Sequence, residues 1–334
     1  MKKALRVLSL GLLGSVALSV QAQDPELSQF YASPVYTNPA LAGSAVCAYG
    51  AAGRFATNYR NQWPNLPGTF RSFCASWDQH IPSVGGGLGA MVFHDIAGSG
   101  LLTSTTISGV YSYLLPLDRG RIYMRFGLQG ALTMKSLNWN NLKFADQINP
   151  TQGFVNPTGE QKPANESKNY PNFNAGWVMY SSKFYMGFAA HNVIEPNWSF
   201  YNNPDEVQPM RLTVHTGAVI PLTRSRYEEN TFSPNALFMK RRNFTQLNLG
   251  FYANKGPLVT GLWFRQTFGA YKNSDAIIML VGFRKNRFKF GYSYDFTVSD
   301  GRSAIPSSHE VSATIDWCVP PGRTPFKPLR CPEF

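Results

Sequence analysis

The sequence predicts a closed antiparallel β-barrel of the transmembrane, outer-membrane kind, with about fourteen strands, and three observations carry that expectation. Hydrophobicity alternates with a period of two in segment after segment. Most of the long connections between those segments fall on one side of the sheet and most of the short ones on the other. The composition, finally, is aromatic and glycine-rich without being oily: 24 Phe, 16 Tyr, 7 Trp and 29 Gly in 334 residues, with only 15% charged residues, against roughly 25% in ordinary soluble domains. A coiled coil, a disordered chain and a typical cytosolic enzyme fit this poorly. With 43% hydrophobic residues, the chain also lacks the apolar bulk of a polytopic helical membrane protein.

Residues 1–22 read as a signal peptide: Lys2, Lys3 and Arg6 precede an apolar run from Val7 to Val20, and Val20-Gln21-Ala22 forms a small-residue cleavage site. The run covers 14 residues, where a membrane-spanning helix needs about 20. Export through that leader leaves a mature chain starting at Gln23, with 28 basic against 19 acidic residues and a net charge of +9. After export, anionic lipid headgroups or another polyanionic surface are the expected counter-charge, rather than nucleic acid. Export also makes disulfides possible. Cys47, Cys74, Cys318 and Cys331 allow three full connectivities that the sequence leaves open; Cys318 and Cys331, flanking a Pro-rich stretch, are the candidate pair. Neither a C-x-x-C nor a His-x-x-His cluster is present, so no metal is expected.

Residues 23–44 carry no strand period. Phe30, Tyr31, Val35, Tyr36 and Leu41 are too apolar for a solvated tail and are expected to pack on the barrel mouth or on a partner, as a periplasmic or lumen-packing segment.

The barrel itself is expected over residues 45–317. Its strands fall near 45–57, 69–79, 87–95, 101–115, 121–133, 171–180, 183–191, 210–220, 231–239, 243–253, 256–267, 275–284, 287–298 and 308–317. The ninth is interrupted by Pro234, which removes a ladder donor. The clearest alternation runs through Phe288, Phe290, Tyr292, Tyr294 and Phe296, interleaved with Lys289, Gly291, Ser293 and Asp295. Similar two-sidedness sets Phe126 and Leu128 against Arg125 and Gln129, and Val311 and Ile315 against Glu310 and Asp316.

Alternation alone does not separate a sandwich from a barrel, but the connections do. With the N-terminus in the periplasm, the stretches 58–68, 96–100, 134–170, 191–209, 240–242, 268–274 and 299–307 lie outside. The stretches 80–86, 116–120, 181–182, 221–230, 254–255 and 285–286 lie in the periplasm. Long outside and short inside is the barrel arrangement. Trp63, Trp77, Tyr113, Trp263 and Trp317 are expected in interfacial aromatic girdles. The long stretch 134–170 is expected either to lie on the surface or to fold inward and plug the lumen. Residues 318–334 are expected to be a proline-stiffened periplasmic tail.

Catalysis is not expected. His94-Asp95 and Ser308-His309-Glu310 invite a Ser-His-acid reading, but adjacent residues of a strand point to opposite faces. Gly85 to Gly89 lacks the Lys-Ser/Thr and the helix that a phosphate loop needs.

Three stretches resemble the PorP/SprF outer-membrane proteins of the type IX secretion and gliding machinery of the Bacteroidetes. They are DPELSQFYASPVYTNPALAGS from Asp24; YRNQWPNLPGTF from Tyr59, followed by GLGAMVFHDIAGSG from Gly87; and GYSYDFTVSD from Gly291 through SSHEVSATI from Ser307. The positions carrying the resemblance are Asn38, Pro39, Arg60, Gln62, Trp63, Asp95, Tyr294, Asp295, Ser308, His309 and Glu310. The tail after Trp317 departs from the family's pattern.

The resemblance implies a non-enzymatic barrel, without cofactor, integral to the outer membrane. It would anchor the periplasmic ring and peptidoglycan-binding lipoprotein subunits, or support secretion and surface attachment of cargo with a C-terminal sorting domain. Phe30, Tyr31, Tyr36, Arg224, Arg226, Arg323, Lys327 and Arg330 are the expected periplasmic contacts. The alternative is a passive or ligand-selective channel, with Arg125, Lys289, Asp295 and Asp316 lining the lumen.

Overall fold

The computed structural model describes residues 26–47, 50–64, 68, 70–98, 100–118, 121–223, 230–269, 275–298 and 307–319. Fourteen long strands make a closed antiparallel barrel. They are β1 (Gly50–Gln62), β2 (Phe70–Ile81), β3 (Gly86–Ala97), β4 (Leu102–Leu117), β5 (Ile122–Leu137), β6 (Ser167–Tyr180), β7 (Phe184–His191), β8 (Arg211–Ala218), β9 (Thr231–Arg241), β10 (Phe244–Lys255), β11 (Leu258–Gly269), β12 (Ala276–Lys285), β13 (Phe288–Thr297) and β14 (Ser308–Cys318). Each strand pairs with its chain neighbour, and β14 returns to β1 in a register from Ser308↔Gln62 to Cys318↔Ala52. Closure leaves no long strand with an unpaired edge. Among the described residues no helix is long and apolar enough to cross a membrane.

The alternation read from the sequence becomes two surfaces. Phe288, Phe290, Tyr292 and Phe296 are exposed outward, while Lys289, Gly291, Ser293 and Asp295 are buried inward. The same parity turns Phe126 and Leu128 outward and Arg125 and Gln129 inward on β5. A bilayer is the medium that accepts such an outer face.

Pro234 does not break its strand. The β8–β9 ladder skips from Gly217↔Asn235 to Ile220↔Phe232, and Pro234, without an N–H to donate, sits in the gap. On its other side it stays in register with Phe251 of β10.

The connections 138–166 and 192–210 lie at one rim, together with the β1–β2 and β13–β14 loops. Tight turns such as Gly256-Pro257 and Asn286-Arg287 lie at the other. Long connections mark the outer side of such barrels. The stretch 138–166 stays outside the lumen, where a two-residue hairpin pairs Ile148–Asn149 with Gly153–Phe154, and Phe154 is exposed.

The lumen is filled by a different element. Residues 27–45 run through it, with a helical turn at Pro34–Thr37 and a 3-10 turn at Pro39–Leu41, capped by Asn38 accepting from Ala40 N. Leu27, Val35, Asn38, Ala40 and Ala42 are all but completely buried. Gly43 lies beside Gly87, at the short-turn end of β3. Ser28 meets Arg60, Asp295 and Glu310, which sit toward the long-loop ends of β1, β13 and β14. Traced toward the N-terminus, the plug therefore climbs from the short-turn mouth into the long-loop half of the barrel.

Candidate functional site

The plug and the wall that grips it form the polar centre of the molecule, and inward parity on each strand supplies the gripping side chains. In the outer half, two arginines and two carboxylates make a buried, charge-balanced set. Arg60 Nη2 lies 2.9 Å from Asp295 Oδ2, Arg60 Nη1 lies 3.3 Å from Glu310 Oε2, and Arg265 Nη1 lies 3.1 Å from Asp295 Oδ2. The plug completes the set. Ser28 Oγ donates to Asp295 Oδ2 at 2.7 Å and accepts from Arg60 and from Arg265 Nη2.

The backbone N–H groups of Ser28 and Gln29 donate to the two oxygens of Glu310, at 2.6 and 3.2 Å. Gln29 Nε2 donates to Glu310 O and to Ser293 Oγ, and Ser312 Oγ donates to Gln29 Oε1. These partners come from β1, β11, β13 and β14, so the plug ties together both strands of the closing seam. Buried charges are tolerated only when paired and hydrogen-bonded, and here the wall's charges are completed by the plug.

A second grip lies near the short-turn end. Arg54 holds Asp78 through Nε and Nη2, both at 2.9 Å, and Asp78 Oδ2 accepts from Gly43 N at 2.8 Å. Arg125 reaches the plug backbone directly, donating to Ala42 O and Gly43 O, each at 2.8 Å, and Ser112 Oγ donates to Ala42 O at 2.6 Å.

Between the two grips, Asn38 lies across β6, β7 and β8, its Nδ2 donating to Trp177 O and Phe188 O and facing His215 Nε2 at 3.0 Å. The wall has to be bare for this approach. A Cβ added to Gly127 would stand 2.3 Å from Ala40 N, and one added to Gly176 would stand 2.0 Å from Asn38 Oδ1.

From β7 round to β11 the grip is aromatic. Tyr31 packs edge-on to Tyr185 and Tyr252 with ring centroids 6.2 and 5.8 Å apart, and Phe30 edge-on to Trp263 at 5.6 Å. Tyr185 OH lies 2.5 Å from both Tyr31 OH and Asn235 Oδ1. Tyr36 stacks on Phe93 at 5.0 Å, and the Arg211 guanidinium sits 5.2 Å from its ring.

The positions that carry the resemblance divide by face. Asn38 and Pro39 are in the plug, and Arg60, Asp295 and Glu310 bind it. Ser308 is buried inward beside them and pairs with Gln62 at the outer end of the seam. Asp95 accepts from Ser72 Oγ at 2.6 Å on β2. Tyr294 and His309 instead pack together on the outer face, 4.9 Å apart, and Tyr292 OH meets His309 Nδ1 at 2.8 Å. Ser308 and Glu310 thus face away from His309, which leaves no Ser-His-acid relay there. Trp63 follows the end of β1 in a left-handed conformation (φ 56) and packs edge-on to Phe70.

Several expectations change. Phe30 and Tyr31, read as contacts for a periplasmic partner, are enclosed by the wall, and Tyr36 lies among lumen side chains; Trp177 O, Phe188 O and the inner aromatics use the segment first. Trp263, read as a girdle residue, is 1% exposed and inside, because Leu262 and Phe264 beside it take the lipid face. Cys74 is a free buried thiol, so the four cysteines are not all paired. Cys318 is disulfide-bonded, while Cys331 lies outside the described residues, as do the signal peptide, Arg224, Arg226, Arg323, Lys327 and Arg330. Ser28, Gln29, Arg54, Asn58, Asp78, His215 and Arg265 were not singled out from the sequence; inward parity marks Arg54, Asp78, His215 and Arg265, whereas Asn58 fell in the expected connection 58–68.

None of the curated proteins matches the chain in sequence. Solved structures with a similar fold include a TodX deltaS2S3 mutant monoaromatic hydrocarbon channel (8% identity, TM-score 0.49, covering 84% of this chain and 92% of that one). The Acinetobacter baumannii outer membrane protein Omp33 (8%, 0.47, 81% and 100%) and a Pseudomonas aeruginosa FadL homologue (11%, 0.44, 86% and 97%) are similar as well. The sequence model of the type IX secretion system membrane protein PorP/SprF family matches residues 19–315, nearly the whole barrel together with its plug, and the chain belongs to that family.

Proposed function

We propose that this chain is a non-enzymatic scaffold of the type IX secretion apparatus in the outer membrane, holding periplasmic subunits at the membrane and supporting export and surface attachment of cargo. The observation that supports this reading most is the occupied lumen: residues 27–45 thread the barrel and are held from β1 and β14 at the seam to β6, β7 and β8 across from it. A barrel filled in this way offers surfaces rather than a passage. Its rigid wall fixes those surfaces in the membrane plane.

The short-turn side, with Arg224, Arg226 and the basic tail residues Arg323, Lys327 and Arg330, is the side for the periplasmic ring and peptidoglycan-binding lipoprotein subunits. The long connections 138–166 and 192–210 are the side for cargo carrying a C-terminal sorting domain. Phe30, Tyr31 and Tyr36 act within the molecule, as anchors of the plug.

The test is affinity purification of the full chain from its native membrane in mild detergent, beside a chain lacking residues 319–334. Periplasmic secretion subunits are expected with the full chain and at least about tenfold less with the truncation, a difference of about 1.4 kcal/mol. Purification of the full chain alone, combined with reproducible conductance in planar bilayers, would replace the scaffold with the ligand-selective channel.

A further inference from the structure

The periplasmic rim carries a cluster of cations that the plug and the proposed scaffold leave unused. Lys255 ends β10, Lys285 ends β12 and Arg287 stands in the turn that follows; all three are exposed. The ladder brings them together. Lys255 pairs with Leu258, Leu258 with Phe283, and Lys285 with Phe288. Leu258, Phe283 and Phe288 are exposed on the lipid side.

By strand parity Lys255 and Lys285 point outward as well, so their ammonium groups stand at headgroup height directly beyond an apolar surface. Lysine stems lie along such a surface while the charge stays at the interface. Among the described residues none of the three cations has an ion-pair partner. Among the described residues the carboxylate on these neighbouring strand ends is Asp316, which faces inward and is held by Lys289 at 2.7 Å. The remaining polar positions in the two turns, Asn254 and Asn286, are neutral. The rim is not uniformly basic, since the β2–β3 turn, Pro82–Val84 and Gly85, has no charge at all.

We propose that Lys255, Lys285 and Arg287 bind the phosphate of an anionic glycerophospholipid in the periplasmic leaflet, its acyl chains lying on Leu258, Phe283 and Phe288. Outward-pointing lysines in register with lipid-facing residues fit a lipid better than a soluble acidic protein, which would approach from below the turns. Each basic group at such a surface contributes about fivefold in affinity, equivalent to about 1 kcal/mol.

The full mature chain would be purified in detergent, and retention of phosphatidylglycerol, phosphatidylcholine and inorganic phosphate compared by native mass spectrometry. Phosphatidylglycerol is expected to be retained preferentially, with inorganic phosphate alone neither retained nor competing. The triple variant Lys255→Gln, Lys285→Gln, Arg287→Gln should lose on the order of a hundredfold in retention, the product of three such steps. The charge-keeping variant Lys255→Arg, Lys285→Arg, Arg287→Lys should keep it, and Lys183→Gln at another short turn should leave it unchanged. Heat-modified gel migration reports that each variant is folded. Equal retention of the two lipids, retention of phosphate alone, or a folded glutamine variant that keeps phosphatidylglycerol would overturn the assignment. So would a glutamine variant that keeps the lipid and loses a co-purifying acidic protein.

Discussion

At the residue scale, the four-charge set of Arg60, Arg265, Asp295 and Glu310 is balanced only with all members present. Arg60→Met leaves two carboxylates facing one guanidinium, and removing one partner of a buried pair costs about 3–5 kcal/mol. A lower midpoint of heat-modified migration should record it. Adding Glu310→Gln to Arg60→Met restores neutrality and should recover part of the loss, so an additive double variant would contradict the pairing. Trp263→Ala should cost about 3–5 kcal/mol as a large aromatic removed from a packed site, whereas a girdle tryptophan would cost less. Part of the charged set was legible in the sequence: Asp295 and Glu310 sit at inward positions of two expected strands and carry the family resemblance, whereas Arg60 was marked by the resemblance alone, because 58–68 reads as a connection and the strand runs on to Gln62, and Arg265 was not singled out. Trp263 was legible too, through the parity of Leu262 and Phe264, but its residue type suggested an interface. Ser28 and Gln29 were not legible, since short polar residues in an unpatterned segment carry no period to show what they touch.

Among the elements, the plug and the outer loop respond most directly to substitution. Gly127→Val and Gly176→Val place side chains where Ala40 N and Asn38 Oδ1 stand. Overpacking of this kind costs about 1–3 kcal/mol or more. The plug should leave before the wall yields, seen as new protease cleavage within residues 27–45 of a still-folded barrel. Outside, Asp146 accepts from Gly159 N at 2.7 Å and Thr158 Oγ1 at 2.9 Å, and the Gly159 N–H, ahead of the hydroxyl, holds its carboxyl below the usual value. A depressed carboxyl orders the loop at all pH values above its unfolded pKa. That order is lost as pH falls through the folded value, so loop 138–166 should become protease-sensitive in acid before the barrel melts, and Asp146→Asn should remove the pH dependence. The number of strands was readable because each repeats a period of two, Pro234 included, but the first was placed too early: it runs over Gly50–Gln62 rather than 45–57, since its inward Asn58 and Arg60 read as loop residues until the plug gives them partners. The identity of the lumen's occupant was not readable, because the choice between residues 23–44 and 134–170 depends on which segment finds bare glycines and inward arginines on strands far away in sequence.

As a whole, the molecule is a membrane cylinder closed twice, once by β14 returning to β1 and once by its own N-terminal segment. The two closures share residues: Asn58 and Arg60 of β1 and Glu310 and Ser312 of β14 meet across the seam and around Ser28, Gln29 and Ser33. Loss of the plug should therefore weaken the seam as well as empty the lumen. The central claim, that the barrel is a filled scaffold rather than an open pore, is tested most directly by planar-bilayer conductance of the full mature chain beside a chain lacking residues 26–45. No stable conductance steps are expected from the full chain and clear steps from the deletion, because the wall left behind is polar and wide enough to hold water. Equal, open conductance from both chains would contradict it.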